Sequence, residues 1–335
     1  MSTAEGAVTR DTTSWLSLAA WRRLLRDQPV IPLVILLAVM VALLIAIQPG
    51  ILNRPQAWVL ATLRFATPLA LLAACQTLTM LTGGIDLSVA VVASMSAYVM
   101  ATQSVSQGDA IAIALAILVA GLVGLLNGVG VGIFRVQPLI MTLGTGLVAL
   151  GAVNVYQKTV LTAGSTVPQP IQTLGSGNTL GFIPNALLVL VPVALVVMIG
   201  LKRTGYGRML YAVGDNPIAA RLAGVRVWQV LLVLYVLSGL LAGIAGITLA
   251  GITKTATLNV ADSYLLPSVA AAVIGGTSIF GGRGGYAGTI LGALILTVLA
   301  SLLTVLDAPE PIRQIVYGAI ILGVAAAYAR LTGER

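Results

Sequence analysis

The sequence predicts an all-α polytopic membrane protein, and three observations carry that expectation. The 335 residues hold only 18 basic and 10 acidic side chains. That is 8% charged residues, against about 25% in ordinary soluble domains. With a mean hydropathy of +1.03, too few polar groups remain to cover a water-facing surface. The apolar residues also gather into runs of about 20, the length that crosses a bilayer. Finally, the basic residues sit between these runs and favour alternate loops, as the positive-inside rule demands.

Residues 1–29 are polar and carry Arg10, Arg22, Arg23 and Arg26, which marks a tail on the basic side. The first apolar run, Ile31 to Ile47, follows a tail too long for a signal peptide and lacks a small-x-small cleavage site. It reads as an uncleaved span. Further spans are expected at 57–82, 87–103, 111–134, 138–157, 184–201, 228–251, 264–280, 286–306 and 312–329, about ten in all.

Loop charges agree with that number. With a cytoplasmic N-terminus, the inside holds Arg10, Arg22, Arg23, Arg26, Arg135, Lys202, Arg203, Arg208, Arg221, Arg226, Arg283, Arg330 and Arg335. The outside holds Arg54, Lys158, Lys254 and Arg313, while Arg64 lies within a span. An odd number of spans spoils this separation. Both termini are then cytoplasmic. Residues 30–330 form one transmembrane domain with a cytoplasmic loop at 202–227, and 331–335 form a short cytoplasmic tail. The longest outer loop is 158–183, rich in Thr, Gly, Pro and Gln.

Composition also excludes chemistries. One cysteine, Cys75, makes neither a disulfide framework nor a thiolate metal cage. The absence of histidine removes Ser-His, Cys-His and His-zinc arrangements, so no catalytic residue, metal site or cofactor is expected. The basic residues form no continuous patch, which argues against nucleic acid. No Gly-x-x-x-x-Gly-Lys-Ser/Thr loop occurs, so any ATP consumed must be bound by another polypeptide.

Several local patterns stand out. Gly124, Gly128 and Gly132 recur every four residues, as do Gly284, Gly288 and Gly292, and Gly239 with Gly243. Such spacing lets helix backbones approach closely in lipid, within a bundle or between subunits. The stretch Thr82-Gly83-Gly84-Ile85-Asp86-Leu87-Ser88 interrupts two apolar runs. There Asp86 can cap the next helix by accepting its free amides, or the broken helix, with Ser88, can line a solute path. A second break, Gly281-Gly282, lies on the same side. Arg64 must snorkel to the outer surface or meet a polar partner. Gln76, Asn127, Asn154 and Gln157 either knit helices together or hydrogen-bond a polyhydroxylated solute.

In the inside loop, Gly214-Asp215-Asn216-Pro217 is a helix start, with a polar cap and a proline at the first helical position. Ile218, Ala219, Ala220, Arg221, Leu222 and Ala223 continue it, and Gly224 ends it. So short a helix does not hold itself together and is expected to dock on a partner or on lipid.

Together these segments resemble the permease subunits of bacterial ABC sugar importers of the ribose, xylose and galactose type. The likeness rests on Thr-Gly-Gly-Ile-Asp-Leu-Ser-Val-Ala at 82–90, the coupling segment at 214–224 and the glycine-rich stretch at 273–292. The broader coupling motif is Glu-Ala-Ala-x-x-x-Gly. Here Ala219, Ala220 and Gly224 fit it, while Ile218 stands in the glutamate position, which removes a salt bridge but not docking by shape. The resemblance implies a permease dimer in the inner membrane, a cytoplasmic ABC ATPase and a periplasmic sugar-binding protein. It implies ATPase coupling through Gly214, Asp215, Asn216, Pro217, Ala219, Ala220, Arg221 and Gly224. It also implies a pathway hinged at Gly83, Gly84, Asp86, Ser88, Gly281 and Gly282. The rival reading is a secondary transporter driven by an ion gradient, for which Asp86 is the single candidate acid.

Overall fold

The computed structural model describes residues 30–160 and 165–332, almost all of them helical. The expected 1–29 tail and the last residues of the 331–335 tail lie outside the described residues. The helices are α1 (Val30–Ile47), α2 (Pro55–Met80), α3 (Val89–Gln107), α4 (Asp109–Gly132), α5 (Pro138–Val160) and the short α6 (Gln169–Ser176). A two-residue hairpin, β1 (Asn178–Thr179) with β2 (Ile183–Pro184), leads into α7 (Leu187–Arg203). Then come α8 (Gly205–Asp215), α9 (Pro217–Leu222), α10 (Val227–Thr253), α11 (Leu265–Ile274), α12 (Tyr286–Val305) and α13 (Glu310–Thr332).

Each expected span contains a helix, but they do not all cross in the same way. Seven are long and apolar enough to cross a bilayer alone: α1 to α5, α10 and α12. Helices α7 and α8, joined through a 69° bend, are long and apolar enough only when taken as a pair. The expected continuous span at 264–280 is corrected, because its helix runs only from Leu265 to Ile274. Ten residues make about 15 Å, half of a roughly 30 Å hydrocarbon core. Gly275 and Gly276 end the helix, Gly276 with φ of +87°. The chain reaches this helix from Lys254 through an irregular segment and a single 3-10 turn at Asp262–Tyr264. There the Ala261 amide donates to Ser94 Oγ of α3 at 3.0 Å, in a buried position. Irregular backbone survives at such depth because protein satisfies it.

The core is built on α2, α3 and α10. In α2 every residue from Ala66 to Met80 is buried, the signature of a helix enclosed on all sides. Helix α10 packs on α2, α3 and α4 and is buried over most of Leu234–Ile252. Along the α4–α10 contact, Gly124 lies against Tyr235, Val236 and Gly239, Gly128 against Leu232, and Gly132 against Trp228. Gly288 and Gly292 likewise receive Gly275 and Ala271. All of these close approaches lie within one chain.

The connections sort into two ends. At one end Gly282 N bonds Leu81 O, Tyr211 Oη bonds Gly284 O, and Arg135, Arg221 and Arg226 share one cavity wall. This is the end to which the sequence assigns most of the basic residues. At the other, Arg64 Nη2 donates to Asn178 Oδ1 at 2.9 Å and Gln56 to Gly181 O at 3.2 Å. Arg64 therefore meets a polar partner, on a hairpin that hydropathy did not reveal.

The α4–α10 packing gives a paired prediction. A Cβ on Gly128 falls 2.8 Å from Leu232 O and 2.9 Å from its Cα, whereas one on Gly144 of α5 meets nothing within 4 Å. Thermal unfolding in detergent is expected to show Gly128→Ala destabilised by about 1–3 kcal/mol. Gly144→Ala is expected to be neutral or stabilised by up to about 1 kcal/mol, since alanine favours helix.

Candidate functional site

Three glycine-containing segments far apart in sequence meet at one point on the basic end. Gly282 N donates to Leu81 O at 3.0 Å, joining the 275–285 loop to the end of α2. Gly214, in the last turn of α8, sits against Leu81 O and Gly282 N so tightly that no side chain fits. Gly281 takes φ of +96° beside the Gly214 carbonyl and Gly83 N, a conformation and a gap that suit only glycine. The Asp215 backbone lies against Gly282. Of the residues that the sequence singled out, Gly83, Gly214, Asp215, Gly281 and Gly282 therefore form one junction.

Directly beyond it, the chain from Gly84 to Ser88 is stitched into the core. Asp86 is 2% exposed. Its Oδ1 accepts Ser88 N at 3.0 Å and Ser88 Oγ at 2.6 Å, which closes the start of α3. Its Oδ2 accepts Ser238 Oγ of α10 at 2.8 Å. The Gln76 side chain of α2 pairs with the Asp86 backbone, donating to its carbonyl at 2.8 Å and accepting from its amide at 3.3 Å. Thr142 of α5 accepts Leu87 N at 3.0 Å and donates to Ile85 O at 3.1 Å. Asn127 of α4 donates to Ser88 Oγ at 3.0 Å and accepts Thr145 Oγ1 of α5. Four helices thus hold a five-residue break, and every carboxylate contact is with a neutral donor.

Of the four polar side chains noted in the spans, Gln76 and Asn127 knit helices. Asn154 is exposed and donates to Leu150 O within its own helix at 2.7 Å. Sequence reasoning missed Ser238, Thr142 and Thr145. Each is a single hydroxyl in an apolar run, and only the fold shows which way it points.

Past the junction the chain turns into α9. Asn216 Oδ1 accepts the amides of Ile218 and Ala219, both at 3.0 Å, and Pro217 occupies the first helical position. Gly224 closes the turn with φ of +87°. Ala220 faces inward, while Ile218 is 69% and Leu222 85% exposed. Arg221 is exposed as well. Helix α8, absent from the sequence reading, is capped by Thr204, whose Oγ1 accepts Gly207 N at 3.1 Å. It connects α7 directly to the junction.

A cavity of about 840 Å³ opens beside the junction, among Thr82, Arg135, Asp215, Arg226, Trp228 and Phe280. At the far end another of about 630 Å³ is walled by Trp58, Tyr264, Glu310, Arg313 and Tyr317. Among the described residues no group of His, Cys, Asp and Glu is arranged to hold a metal ion.

Seven helices long and apolar enough to cross a bilayer, with a further crossing broken at Gly275-Gly276, define a multi-pass helical membrane protein. Residues 58–325 match the family described as branched-chain amino acid transport system / permease component, and the chain belongs to it. The chain is 35% identical over 253 residues to the ribose import permease protein RbsC of Bacillus subtilis, covering 75% of this chain and 78% of that one. It is 34% identical over 259 residues to the fructose import permease protein FrcC of Rhizobium meliloti, covering 74% and 71%. It is 36% identical over 236 residues to the probable ABC transporter permease protein y4mJ of Sinorhizobium fredii, covering 69% of each. No solved structure gives a significant match.

The Asp86 network predicts a graded response. Asp86→Ala leaves the Ser88 and Ser238 donors buried without an acceptor and is expected to cost about 3 kcal/mol of stability. Asp86→Asn keeps one acceptor oxygen and is expected to cost about half as much. Unfolding of the two purified variants against the parent chain measures both.

Proposed function

We propose that this chain is the transmembrane subunit of an ATP-driven ABC importer that carries a monosaccharide, a pentose or hexose, across the bacterial inner membrane. The observation that carries the reading is the identity of 34–35% with ribose and fructose import permeases over about three-quarters of the chain. The geometry supports it through α9, a six-residue helix with two exposed aliphatic side chains that has little reason to fold unless something covers it.

In this reading the basic end faces the cytoplasm, both termini lie there, and residues 30–330 work as one domain. A separate ATPase subunit grips Pro217, Ala219, Arg221 and Gly224, which are exposed, while Ala220 packs inward and seats the helix on the permease, and that subunit performs all of the hydrolysis. A second permease subunit completes the pathway, and a periplasmic sugar-binding protein delivers the solute. Closure of the ATPase pushes α9. Because Asn216, Asp215 and Gly214 run without a break into the junction, the push reaches Leu81 and Gly282 together. Those residues end the two discontinuous crossings, the one before Asp86 and the one through α11. Gly83, Gly84, Gly281 and Gly282, at the margin of the junction, then act as the hinge about which the flanking helices turn, with Asp86 and Ser88 holding the start of α3. The permease makes and breaks no covalent bond.

The ion-driven alternative has little to stand on. Asp86 is the acid that such a mechanism would use, and its oxygens are occupied by Ser88 and Ser238, with no second carboxylate beside them among the described residues.

Proteoliposomes holding this chain with its ATPase and binding protein are expected to accumulate one labelled sugar from a panel in an ATP-dependent manner. Uptake should vanish when either partner is left out. Uptake by this chain alone on a proton or sodium gradient would contradict the reading. Gly224→Leu forces a branched residue into the left-handed region and is expected to lower transport per ATP at least tenfold while the chain stays folded. Unchanged transport per ATP in that variant counts against coupling through α9.

A further inference from the structure

The cavity at the far end, of about 630 Å³, plays no part in the transport reading above. None of its lining residues belongs to the junction, to the Asp86 network or to α9. Its volume falls within the roughly 300–1,000 Å³ of small-molecule sites. It lies among the last turns of α1 and α12 and the first turns of α2, α11 and α13. A stripe of hydroxyls runs down one wall. Thr297, Ser301 and Thr304 fall at i, i+4 and i+7 on α12, in a stretch that is otherwise apolar. Each donates its proton to a carbonyl of its own helix: Thr297 to Ala293 at 2.8 Å, Ser301 to Thr297 at 3.1 Å and Thr304 to Ala300 at 2.8 Å. The hydroxyl oxygens therefore offer the cavity acceptors. Arg313 uses the outermost of them, donating from Nη2 to Thr304 Oγ1 at 3.0 Å, while its Nε donates to Ala308 O at 3.0 Å. Glu310 precedes Arg313 by three residues on α13. Among the described residues these two are the only charged side chains on the wall, so the cavity carries no net charge. Trp58 and Thr62 of α2 and Tyr264 complete the part that matters here.

We infer that this cavity binds a neutral polyhydroxylated solute, a free monosaccharide, within a single chain. That the solute is the transported sugar, received at the periplasmic face, rests on the importer reading. Charge fixes the first property of the ligand. One acid and one base balance each other at the rim, which favours a neutral molecule over an anion or a cation. The hydroxyl stripe fixes the second. Acceptors spaced along one wall suit a ligand with several hydroxyl donors, Arg313 and Glu310 add a donor and an acceptor at the rim, and the flat faces of Trp58 and Tyr264 suit a C–H surface. A zwitterionic lipid headgroup can also meet Glu310 and Arg313, but its acyl chain would then lie along the hydroxyls. Thr297 sits about 12 Å of helix inside the end of α12, and Thr62 about 10 Å inside the start of α2. Hydrocarbon makes no use of polar atoms set that deep, whereas a hydrated sugar does. The stripe thus carries polar groups most of the way through a leaflet of about 15 Å, where lipid alone would not call for them.

The test is saturation-transfer NMR on the full-length chain in detergent, with a panel of neutral pentoses and hexoses as probes and glucose 6-phosphate and glucosamine as charged controls. At least one neutral sugar is expected to bind and to exceed both controls. In the double variant Thr297→Val/Ser301→Ala its affinity should fall about tenfold, as expected for two lost hydrogen bonds. Thr297→Ser/Ser301→Thr keeps both acceptors and should retain binding, which guards against misfolding of the first variant. Trp58→Leu should weaken binding by a similar factor. Binding of no neutral sugar, equal binding of the charged controls, or full affinity in Thr297→Val/Ser301→Ala would overturn the inference. So would displacement of the sugar by dioleoyl phosphatidylethanolamine, which would mark a lipid site. Uptake separates this inference from the importer reading. In proteoliposomes with both partners, Thr297→Val/Ser301→Ala is expected to slow ATP-dependent uptake several-fold. Unchanged uptake would remove the receiving role and leave the importer reading intact. Sugar binding that is lost in this variant, in a parent chain that shows no ATP-dependent uptake, would uphold the site and contradict the importer reading instead.

Discussion

The hydrogen bond from Gly282 N to Leu81 O, with Gly214 pressed between them, is the contact on which the rest of the arrangement depends. In hydrocarbon a backbone amide or carbonyl without a partner costs several kcal/mol, so a chain can leave the helix only where protein takes over its hydrogen bonds. This chain leaves the helix inside the bundle at Gly83–Ser88 and again on either side of α11, at Lys254–Ala261 and Gly275–Gly285. The two breaks solve the problem jointly. Their glycine-rich ends bond each other through Leu81 and Gly282, and hydroxyl and amide side chains of α2, α4, α5 and α10 cover the remainder around Asp86. The same contact brings α8 and α9 against the ends of both broken crossings. A structural necessity thus becomes a mechanical connection between an exposed helix and the interior.

The packing that surrounds this junction follows from the same shortage of water. Between helices in lipid the hydrophobic effect offers little, and close backbone approach and hydrogen bonds take its place. Glycines on α4 and α10 permit that approach along one side of α10, and Gly288 and Gly292 permit it on α12. At the opposite end Arg64, a cation within α2, is held by Asn178.

Much of the fold was legible in the sequence, for a simple reason. Apolar runs of spanning length and basic residues in alternate loops are side-chain properties, and they placed a helix in each of the ten expected runs. What hydropathy could not register is backbone behaviour. The run 264–280 carries no charge and is mostly apolar, yet Gly275-Gly276 end its helix after ten residues. The bend at Thr204 turns one loop into a second helix, and α6 hides in a polar outer loop. The candidate site was legible in pieces. Asn216-Pro217 and Gly224 announced α9, and Asp86 announced the start of α3. Their convergence was not, because the contacts at the junction are made by backbone atoms of residues 67 to 201 apart in sequence, at glycines that offer no side chain to read. Ser238 was invisible for the complementary reason, being one hydroxyl in a long apolar helix.

The central claim is that the end of α2, the end of α8 and the 275–285 loop are one mechanical unit. Spin labels at Thr82 and Asp215, on either side of the Leu81–Gly214 contact, test it most directly in the complex with the ATPase. The account predicts strong dipolar broadening that is the same without nucleotide and with ATP bound, since the junction moves as a body. Broadening that is absent at rest, or that disappears when ATP binds, would contradict it.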